Sequence, residues 1–331
     1  MVLPSRPATI RDVANMVGVS HQTVSRVIND SPNVDPETRR RVLDAANVLK
    51  YRPSRHARAL AKPDVKTIGL LVPDLTNPFF PEVIEGVLDA AGERGWQVTI
   101  RTTGRSDERE VLRATIRSAD AVVGYFTSAG VPSSGREWDV PVVALDNELD
   151  GPQACGVQID VEDAVRQGIG HLLERGHTEI GMLDCSTTCD RHRRREAFVR
   201  VLTEHGIPPA EGRIRMTDQS FDGAAAATHV LVDGDPELTA IFAFNDVVAI
   251  GALRALRARG LRVPGDCAVL GFDGLAIGGL VTPTLTSLHI DTRRLGALAV
   301  EQVEAMIANP PEETATSQVL LQPRLVVGGS T

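Results

Sequence analysis

The sequence is short of the features that mark secreted, membrane-spanning and cofactor-carrying chains. Only four of its 331 residues are cysteine. That is too few, and they are too scattered, for a disulfide scaffold, which fits a reducing compartment. The longest purely apolar runs, such as residues 68–72, last five or six residues, against the roughly 20 needed to cross a bilayer. The opening MVLPSRP has no apolar core followed by a cleavage site, so no secretory leader and no membrane partner are expected, and the compartment expected is the cytoplasm. Aromatic residues total twelve, made up of 8 Phe, 2 Tyr and 2 Trp, so any stacking surface must come from a few positions.

Catalytic signatures are missing too. There is no phosphate-cradling GxxxxGK[ST], no GxGxxG and no GxSxG, and the glycines at 274 and 278 are too short a hint of a phosphate loop. Cys185 and Cys189 lie near His192 but lack a fourth ligand at a suitable spacing. His171 and His177 read as capping or packing residues. No enzyme activity, metal or cofactor is expected.

Positive charge is also scarce overall: the net charge is −8, which alone discourages a polyanionic partner. The average hides a split. Residues 1–62 hold 11 Lys and Arg against 5 Asp and Glu, a net of +6, and the remainder carries −14. A small basic head on a large acidic body suggests two different partners. At roughly 150 residues per domain the length fits about two domains, and 42% hydrophobic with 24% charged residues is ordinary globular material.

The head reads as three short helices. Ile10, Val13, Ala14 and Val17 recur at helical spacing, Thr9 with Asp12 makes a capping-box start, and Gly18 follows as a stop. Ser20 caps a second helix with apolar Val24, Val27 and Ile28. Asp35 and Pro36 open a third that buries Val42, Ala45, Ala46 and Leu49. Two helices joined by a glycine-containing turn match the helix-turn-helix. Its second helix exposes His21, Gln22, Ser25 and Arg26, and glutamine pairs bidentately with adenine and arginine with guanine in the major groove. The competing reading is a solvated polar face on a small bundle.

The strings VSHQTVSRVIND and TRRRVLDAANVLKYRPSRHARALA resemble the DNA-binding head of the lac repressor/gal repressor family of bacterial transcription regulators. The resemblance places His21, Gln22 and Arg26 at base-reading positions with Ser25 beside them. It places Thr9, Ser20, Thr23, Asn29, Asn33 and Thr38 at phosphate contacts, which supply affinity and register. It also implies that the segment after Pro53 is a hinge helix ordering on operator DNA. Leu60 would be wedged into the minor groove there, with Arg55, Ala57, Arg58 and Ala61 along the groove. Without the resemblance, that segment reads as a marginal helix or a plain linker.

From residue 65 onward, short apolar strands alternate with amphipathic helices: residues 68–72, 97–100, 121–123, 141–145 and 156–159, then 180–183, 241–244, 268–271 and 287–290. Strands buried on both faces and spaced by helices imply a parallel sheet, and two groups imply two α/β subdomains. Ligands of such folds bind outside the carboxyl ends of the strands. IGLLVPDLTNPFF, HLLERGHTEIGML, FNDVVAIGALRAL and VPGDCAVLGFDG, followed by TSLHID, extend the resemblance over essentially the whole chain.

The fold class expected is an all-α helix-turn-helix head with a hinge helix, followed by a two-subdomain periplasmic-binding-protein-like α/β clamp with parallel sheets. The expected domains are a head over 1–52, a hinge over 53–64, and a ligand-binding and dimerisation domain over 65–331. Within the last, the N-subdomain would span about 65–161 and 292–325, and the C-subdomain about 162–291, with three crossings.

By resemblance the pocket comprises Asn77, Phe79, Phe80, Asp146, Arg194, Phe221, Asn245 and Asp273, with Pro78 and Trp138 nearby. Carboxylates, an amide and an arginine pair with ring hydroxyls, and aromatics stack on apolar sugar faces. Helix capping or a salt bridge is the alternative for each residue singly. This chain departs from the family pattern at Gly124, Tyr125, Ala197, Ile290 and Thr292. The arginine-rich start of the helix over 191–200 reads as a solvated helix face, or as the mark of an acidic or phosphorylated ligand.

The resemblance implies a homodimeric repressor of a sugar-utilisation operon, binding pseudo-palindromic operator DNA and switched by a small-molecule effector. The alternative keeps the DNA role but senses a non-sugar metabolite or a protein partner. A solute-binding protein without a DNA role would want a leader and no basic head. With no leucine heptad after residue 325, a dimer is expected over a tetramer.

Overall fold

Local capping chemistry sets the ends of the head helices. The structure, a computed structural model, describes residues 9–28, 34–49, 65–104, 107–126, 140–146, 155–185, 193–308 and 318–331. It divides into two units, residues 1–66 and 67–331. In the first unit, α1 (Ile10–Val17) starts on Thr9. Thr9 Oγ1 accepts from the Asp12 amide, and Asp12 Oδ2 accepts from the Thr9 amide at 2.7 Å. Gly18, at φ 74°, closes the helix in the left-handed conformation that glycine tolerates. The Thr23 amide donates to Ser20 Oγ at 3.0 Å, opening α2 (His21–Ile28), and the Thr38 amide donates to Asp35 at 2.9 Å, opening α3 (Pro36–Val48).

Val13, Ala14, Val17, Val24, Val27, Val42, Ala45 and Ala46 form the buried seam of the head, with Ile10 and Leu49 half-buried against it. The Arg41 guanidinium donates to the Val17 carbonyl at 2.8 Å, supplying a donor to the end of α1. Asn29, Asn33 and the hinge residues Arg55, Ala57, Arg58, Leu60 and Ala61 lie outside the described residues, as do Trp138, Cys189 and His192.

Among the described residues, the second unit holds two six-stranded sheets. The first is formed by β1 (Thr67–Val72), β2 (Gln97–Thr102), β3 (Ala121–Gly124), β4 (Val142–Leu145), β5 (Cys155–Ile159) and β11 (Gln318–Leu321), in the order β11-β5-β4-β3-β1-β2 and parallel throughout. Around it pack α4 (Phe79–Glu93), α5 (Glu108–Ile116) and α10 (Thr292–Ala308). The second has β6 (Ile180–Asp184), β7 (Ile214–Met216), β8 (Ala240–Ala243), β9 (Ala268–Asp273), β10 (Thr286–His289) and β12 (Arg324–Val326), in the order β12-β10-β9-β8-β6-β7. Only β12 runs antiparallel. Its helices are α6 (Val161–Glu174), α7 (Arg193–Glu204), α8 (Phe221–Gly234) and α9 (Asp246–Ala258).

The chain passes between the two lobes after β5, after β10 and after β11. The last passage corrects one expected boundary. Strand β12 pairs with β10 through Ser287 and Val326, Leu288 and Leu325, and His289 and Arg324, so residues 324–326 belong to the second lobe. The tail beyond it is built into that lobe as well. Ser330 Oγ donates to the Val269 carbonyl at 2.6 Å and accepts from the Thr286 amide at 2.8 Å, and Thr331 Oγ1 bonds Thr286 and His171. His171 is thus a packing residue, held below the usual imidazole range by burial.

Each strand order reverses once in each lobe. The switch lies between β1 and β3 in the first sheet and between β6 and β8 in the second. Segments leaving the carboxyl ends on either side of such a switch diverge and leave a crevice, and the candidate ligand residues sit on those segments.

Candidate DNA-reading helix and effector cleft

On α2 the buried residues are Val24 and Val27. At 100° per residue this leaves His21, Gln22, Ser25 and Arg26 on one arc turned away from the seam. His21, Gln22 and Arg26 are exposed and Ser25 is half-buried. The expected phosphate contacts Thr9, Ser20 and Thr38 engage in helix-start hydrogen bonds here, and the Thr23 hydroxyl bonds Ser20 Oγ at 2.9 Å. These hydroxyls therefore secure the amino ends of the three helices. A helix amino end is where a phosphate meets favourable dipoles and backbone donors.

In the clamp, Asn77 follows β1, but its Oδ1 accepts the Phe79 amide at 3.1 Å, so it organises the entry to α4. Phe79, Phe80 and Tyr125 make an edge-to-face trio with centroid separations of 5.6, 6.1 and 5.2 Å. The Tyr125 hydroxyl is buried and has no hydrogen-bond partner among the described residues. Burial lifts it well above the usual phenol range, with Asp146 and Asp273 adding to the rise and Arg194 opposing it. The tyrosine therefore sits within electrostatic reach of all three.

Asp146 ends β4 at φ 48°, in the left-handed region that aspartate tolerates. Its amide donates to Val157 O at 2.8 Å, and Oδ1 accepts from the Ile159 amide at 3.3 Å and from Arg193 Nη1 at 3.1 Å. Burial raises its carboxyl above the ordinary range, against the pull of Arg193 and Arg194. Asp273, also at positive φ (104°), ends β9 and is 3% exposed. Burial lifts it well above the carboxylate range, with Arg194 opposing and Asp246, Asp146 and Glu82 adding to the rise. Arg194 Nη2 stands 3.6 Å from Asp273, Nη1 donates to Phe244 O at 2.6 Å, and the guanidinium carbon lies 4.4 and 4.0 Å from the Phe244 and Phe272 ring centres.

The structure thus brings Phe79, Phe80, Asp146, Arg194 and Asp273 to one crevice. Asn245 takes a different part. It is the amino cap of α9, its Oδ1 accepting from the Val248 amide at 3.0 Å and its Nδ2 donating to Gln219 at 3.2 Å. Phe221 opens α8 with 44% exposure, and no contact described above joins it to the group.

The solvated-face reading of the arginine cluster is corrected for Arg193 and Arg194, whose side chains are 25% and 13% exposed and paired with Asp146 and Asp273, while Arg195 is 44% exposed. Tyr125 and Arg193 are the site residues that sequence reasoning missed. Tyr125 was visible only as a departure from the family pattern. Ile290 lies in the core, and Thr292 Oγ1 donates to Glu82 at 2.9 Å, which accounts for two other departures. Among the described residues no cluster of His, Cys, Asp and Glu could hold a metal ion, and no helix is long and apolar enough to cross a membrane.

Behind the crevice, Asp246 is fully buried and accepts from Ser287 Oγ and the Leu275 amide at 2.5 and 2.6 Å. A Cβ on Gly271 would meet its carboxylate at 2.3 Å, so glycine there makes room for it. Burial pushes Asp246 up to about 7 against those hydrogen bonds. A raised carboxyl keeps its proton in the folded chain after the unfolded chain has released it. Stability is therefore lost as pH rises from the unfolded value through about 7. His171 and His177, lowered by burial, act in the opposite direction below about pH 6.5. Above the histidine range the melting temperature of the full chain should fall as pH rises from about 6.5 to 7.5, with the raised Asp146 and Asp273 acting in the same direction, and Asp246→Asn should reduce that fall. Calorimetry at fixed ionic strength checks both, and a flat wild-type profile would contradict the assignment.

A helix-turn-helix head with an exposed polar face on its second helix, together with a two-lobed clamp whose polar residues gather at the strand ends, defines a ligand-sensing transcription regulator of the helix-turn-helix class. A model described as "Bacterial regulatory proteins, lacI family" matches residues 9–54, and one described as "Periplasmic binding protein-like domain" matches residues 169–331. The HTH-type transcriptional regulator DegA of Bacillus subtilis (strain 168) is 32% identical, covering 98% of this chain and 98% of its own. The chain belongs to the lacI family of bacterial regulatory proteins.

Among solved structures, a LacI family transcriptional regulator from Arthrobacter sp. FB24 in complex with lactose is 30% identical, with a TM-score of 0.73 over 81% of this chain and 99% of that one. The lac repressor dimer bound to operator and the anti-inducer ONPF is 27% identical, with a TM-score of 0.73 over 98% and 99%. The family and the lac repressor likeness bear out the fold class read from the sequence.

Proposed function

We propose that this chain is a cytoplasmic, homodimeric repressor of a sugar-utilisation operon, without catalytic activity, whose affinity for a pseudo-palindromic operator is switched by an uncharged sugar in the clamp. The observation that carries the effector reading is the hydrogen-bonding balance of the crevice. Arg193 and Arg194 already face carboxylates, whereas Asp146 and Asp273 are acceptors and the Tyr125 hydroxyl has no partner. Such a site suits a ligand rich in hydroxyl donors, and among the described residues of the crevice an added anion would meet carboxylates and no arginine that does not already face one. The lactose-bound relative supports the same class.

In the head, His21, Gln22, Ser25 and Arg26 read bases, while Thr9, Ser20, Thr23, Asn29, Asn33 and Thr38 position the helices on phosphates. The operator-bound dimer among the structural relatives supports this reading. The division into a head to residue 52, a hinge over 53–64 and a clamp from 65 belongs to it, with Leu60 as the minor-groove wedge and Arg55, Ala57, Arg58 and Ala61 beside it. Exposed apolar residues lie in both lobes, Leu75, Leu88 and Ile100 in the first and Leu280 and Val327 in the second, which supports pairing of two copies along the clamp.

The test selects a preferred site for the full chain from random duplexes and then titrates the complex with a panel of neutral sugars. Arg26→Ala should cost roughly 1–3 kcal/mol and relax base preference, and Leu60→Gly should weaken the specific complex more than nonspecific binding. Asp273→Asn should retain operator binding and lose the sugar response. A complex indifferent to every sugar would refute the effector reading, and no sequence preference would refute the operator reading.

A further inference from the structure

Consecutive arginines at the start of α7 serve different lobes. Arg194 stays within its own lobe, between the Phe244 and Phe272 rings and beside Asp273. Arg193 reaches across to the first lobe, with Nη1 donating to Asp146 Oδ1 at 3.1 Å and Nη2 to the Ile159 carbonyl at 3.0 Å. Among the described residues this is the one ion pair that joins the two lobes. Its two acceptors lie at the carboxyl ends of β4 and β5, which Asp146 already ties together through the Val157 carbonyl and the Ile159 amide.

We propose that Arg193 is a positioning residue of the cleft, strapping the lobes together without a ligand and turning Asp146 so that Oδ2 is offered to an effector hydroxyl. Both oxygens of a carboxylate accept hydrogen bonds. Oδ1 is taken by Arg193 and the Ile159 amide, and its two donors fix the plane of the group. A planar guanidinium does this from two separate nitrogens in a rigid fork, whereas an ammonium must reach both acceptors from a single nitrogen. The strap thereby lowers the ordering cost of binding, because the ligand meets an acceptor already aimed. This inference deepens the sugar-site reading and rests on it only for the identity of what Oδ2 receives.

The test needs no ligand: hydrogen–deuterium exchange of the full-length wild type, Arg193→Met, Arg193→Lys, Asp146→Asn and the Arg193→Met/Asp146→Asn double variant. Methionine keeps the length and removes the donors. Exchange should rise about tenfold in two places at once, the segment over 155–161 in the first lobe and the first turn of α7 in the second. The segment over 268–273, which Arg194 serves, should stay as in wild type. Lysine should fall between wild type and methionine, and the double variant should go no further than Arg193→Met alone.

A change confined to α7, a lysine variant indistinguishable from methionine, or additive effects in the double variant would each overturn the strap. Because no sugar is present, the strap can fail while the effector reading stands. A sugar panel that binds nowhere would sink that reading and leave the strap untouched.

Discussion

Replacing Arg194 with alanine should lower the melting temperature of the full chain by about 10 °C and leave the cleft without its effector response. The side chain is 13% exposed and its partner Asp273 is 3% exposed, so this pair lies inside the fold. Removing one member of a buried pair costs about 3–5 kcal/mol, because the remaining carboxyl must either stay charged out of water or take up a proton. Two aromatic rings also lose the cation between them, worth about 0.5–2 kcal/mol each depending on desolvation. For a domain of this size, each kcal/mol moves the transition by about 2–4 °C. Arg194→Lys, which keeps the charge without the planar fork, should sit between the two.

The decisive comparison adds Asp273→Asn to Arg194→Ala. If the cost is mainly a stranded carboxylate, the double variant recovers part of the lost stability, and acidification rescues the single variant more than the double, because protonating Asp273 removes its charge. Burial already raises Asp273 well above the ordinary range with Arg194 opposing, so losing the arginine moves it further in the same direction. A single variant that melts like the wild type, or a double variant no better than the single, would show that the pair does not hold this edge of the second lobe.

Most of the fold was legible because its signals are local. Thr9 with Asp12, Gly18, Ser20 and Asp35 all act within a few residues of where they stand, and the structure uses each for the helix end read from it. The long apolar strands announced themselves through continuous runs such as TIGLLV, whose last five residues are buried. The strands missed are short edge strands: β7 (Ile214–Met216) and β12 (Arg324–Val326) have three residues each, and β11 has four with half of them exposed. An edge strand buries one face or less, so no continuous apolar run marks it.

The cleft was legible one strand end at a time and illegible across lobes. Asp146 and Asp273 close apolar strands, which is where an open α/β sheet places its ligands, and each could be named without knowing the other. Nothing in the run RHRRRE distinguishes an arginine facing its own lobe from one reaching a carboxylate 47 positions earlier. Neighbouring helix residues point 100° apart, but which direction holds the partner depends on how the lobes close. Asn245 carries two signals at once. Its position before Asp246 fits a ligand amide and an amino cap alike, and in the structure its Oδ1 provides the cap.

Gly296→Val should cost about 3 kcal/mol or more and unfold the first lobe at a lower urea concentration than wild type. A Cβ at Gly296 would stand 2.5 Å from Val83 O and 2.7 Å from Val87 N, and one at Gly86 would stand 2.3 Å from Arg293 O. The two glycines let α4 and α10 touch backbone to backbone. Helix propensity alone predicts the opposite sign, since a mid-helix glycine is about 1 kcal/mol worse than alanine. Contact should win, because the obstacles are peptide atoms that cannot rotate away. The helices must part along a seam that includes Val83, Val87, Ala90, Leu295, Ala299 and Val303, and overpacking of that kind costs about 1–3 kcal/mol or more. Gly296→Ala should already be destabilising and valine more so, whereas at Gly92 in α4, where a Cβ would meet nothing within 4 Å, alanine should be neutral or stabilising. Urea unfolding of the three full-length variants decides the matter: if Gly296→Ala gains stability as Gly92→Ala does, propensity governs the crossing and the close approach carries no weight.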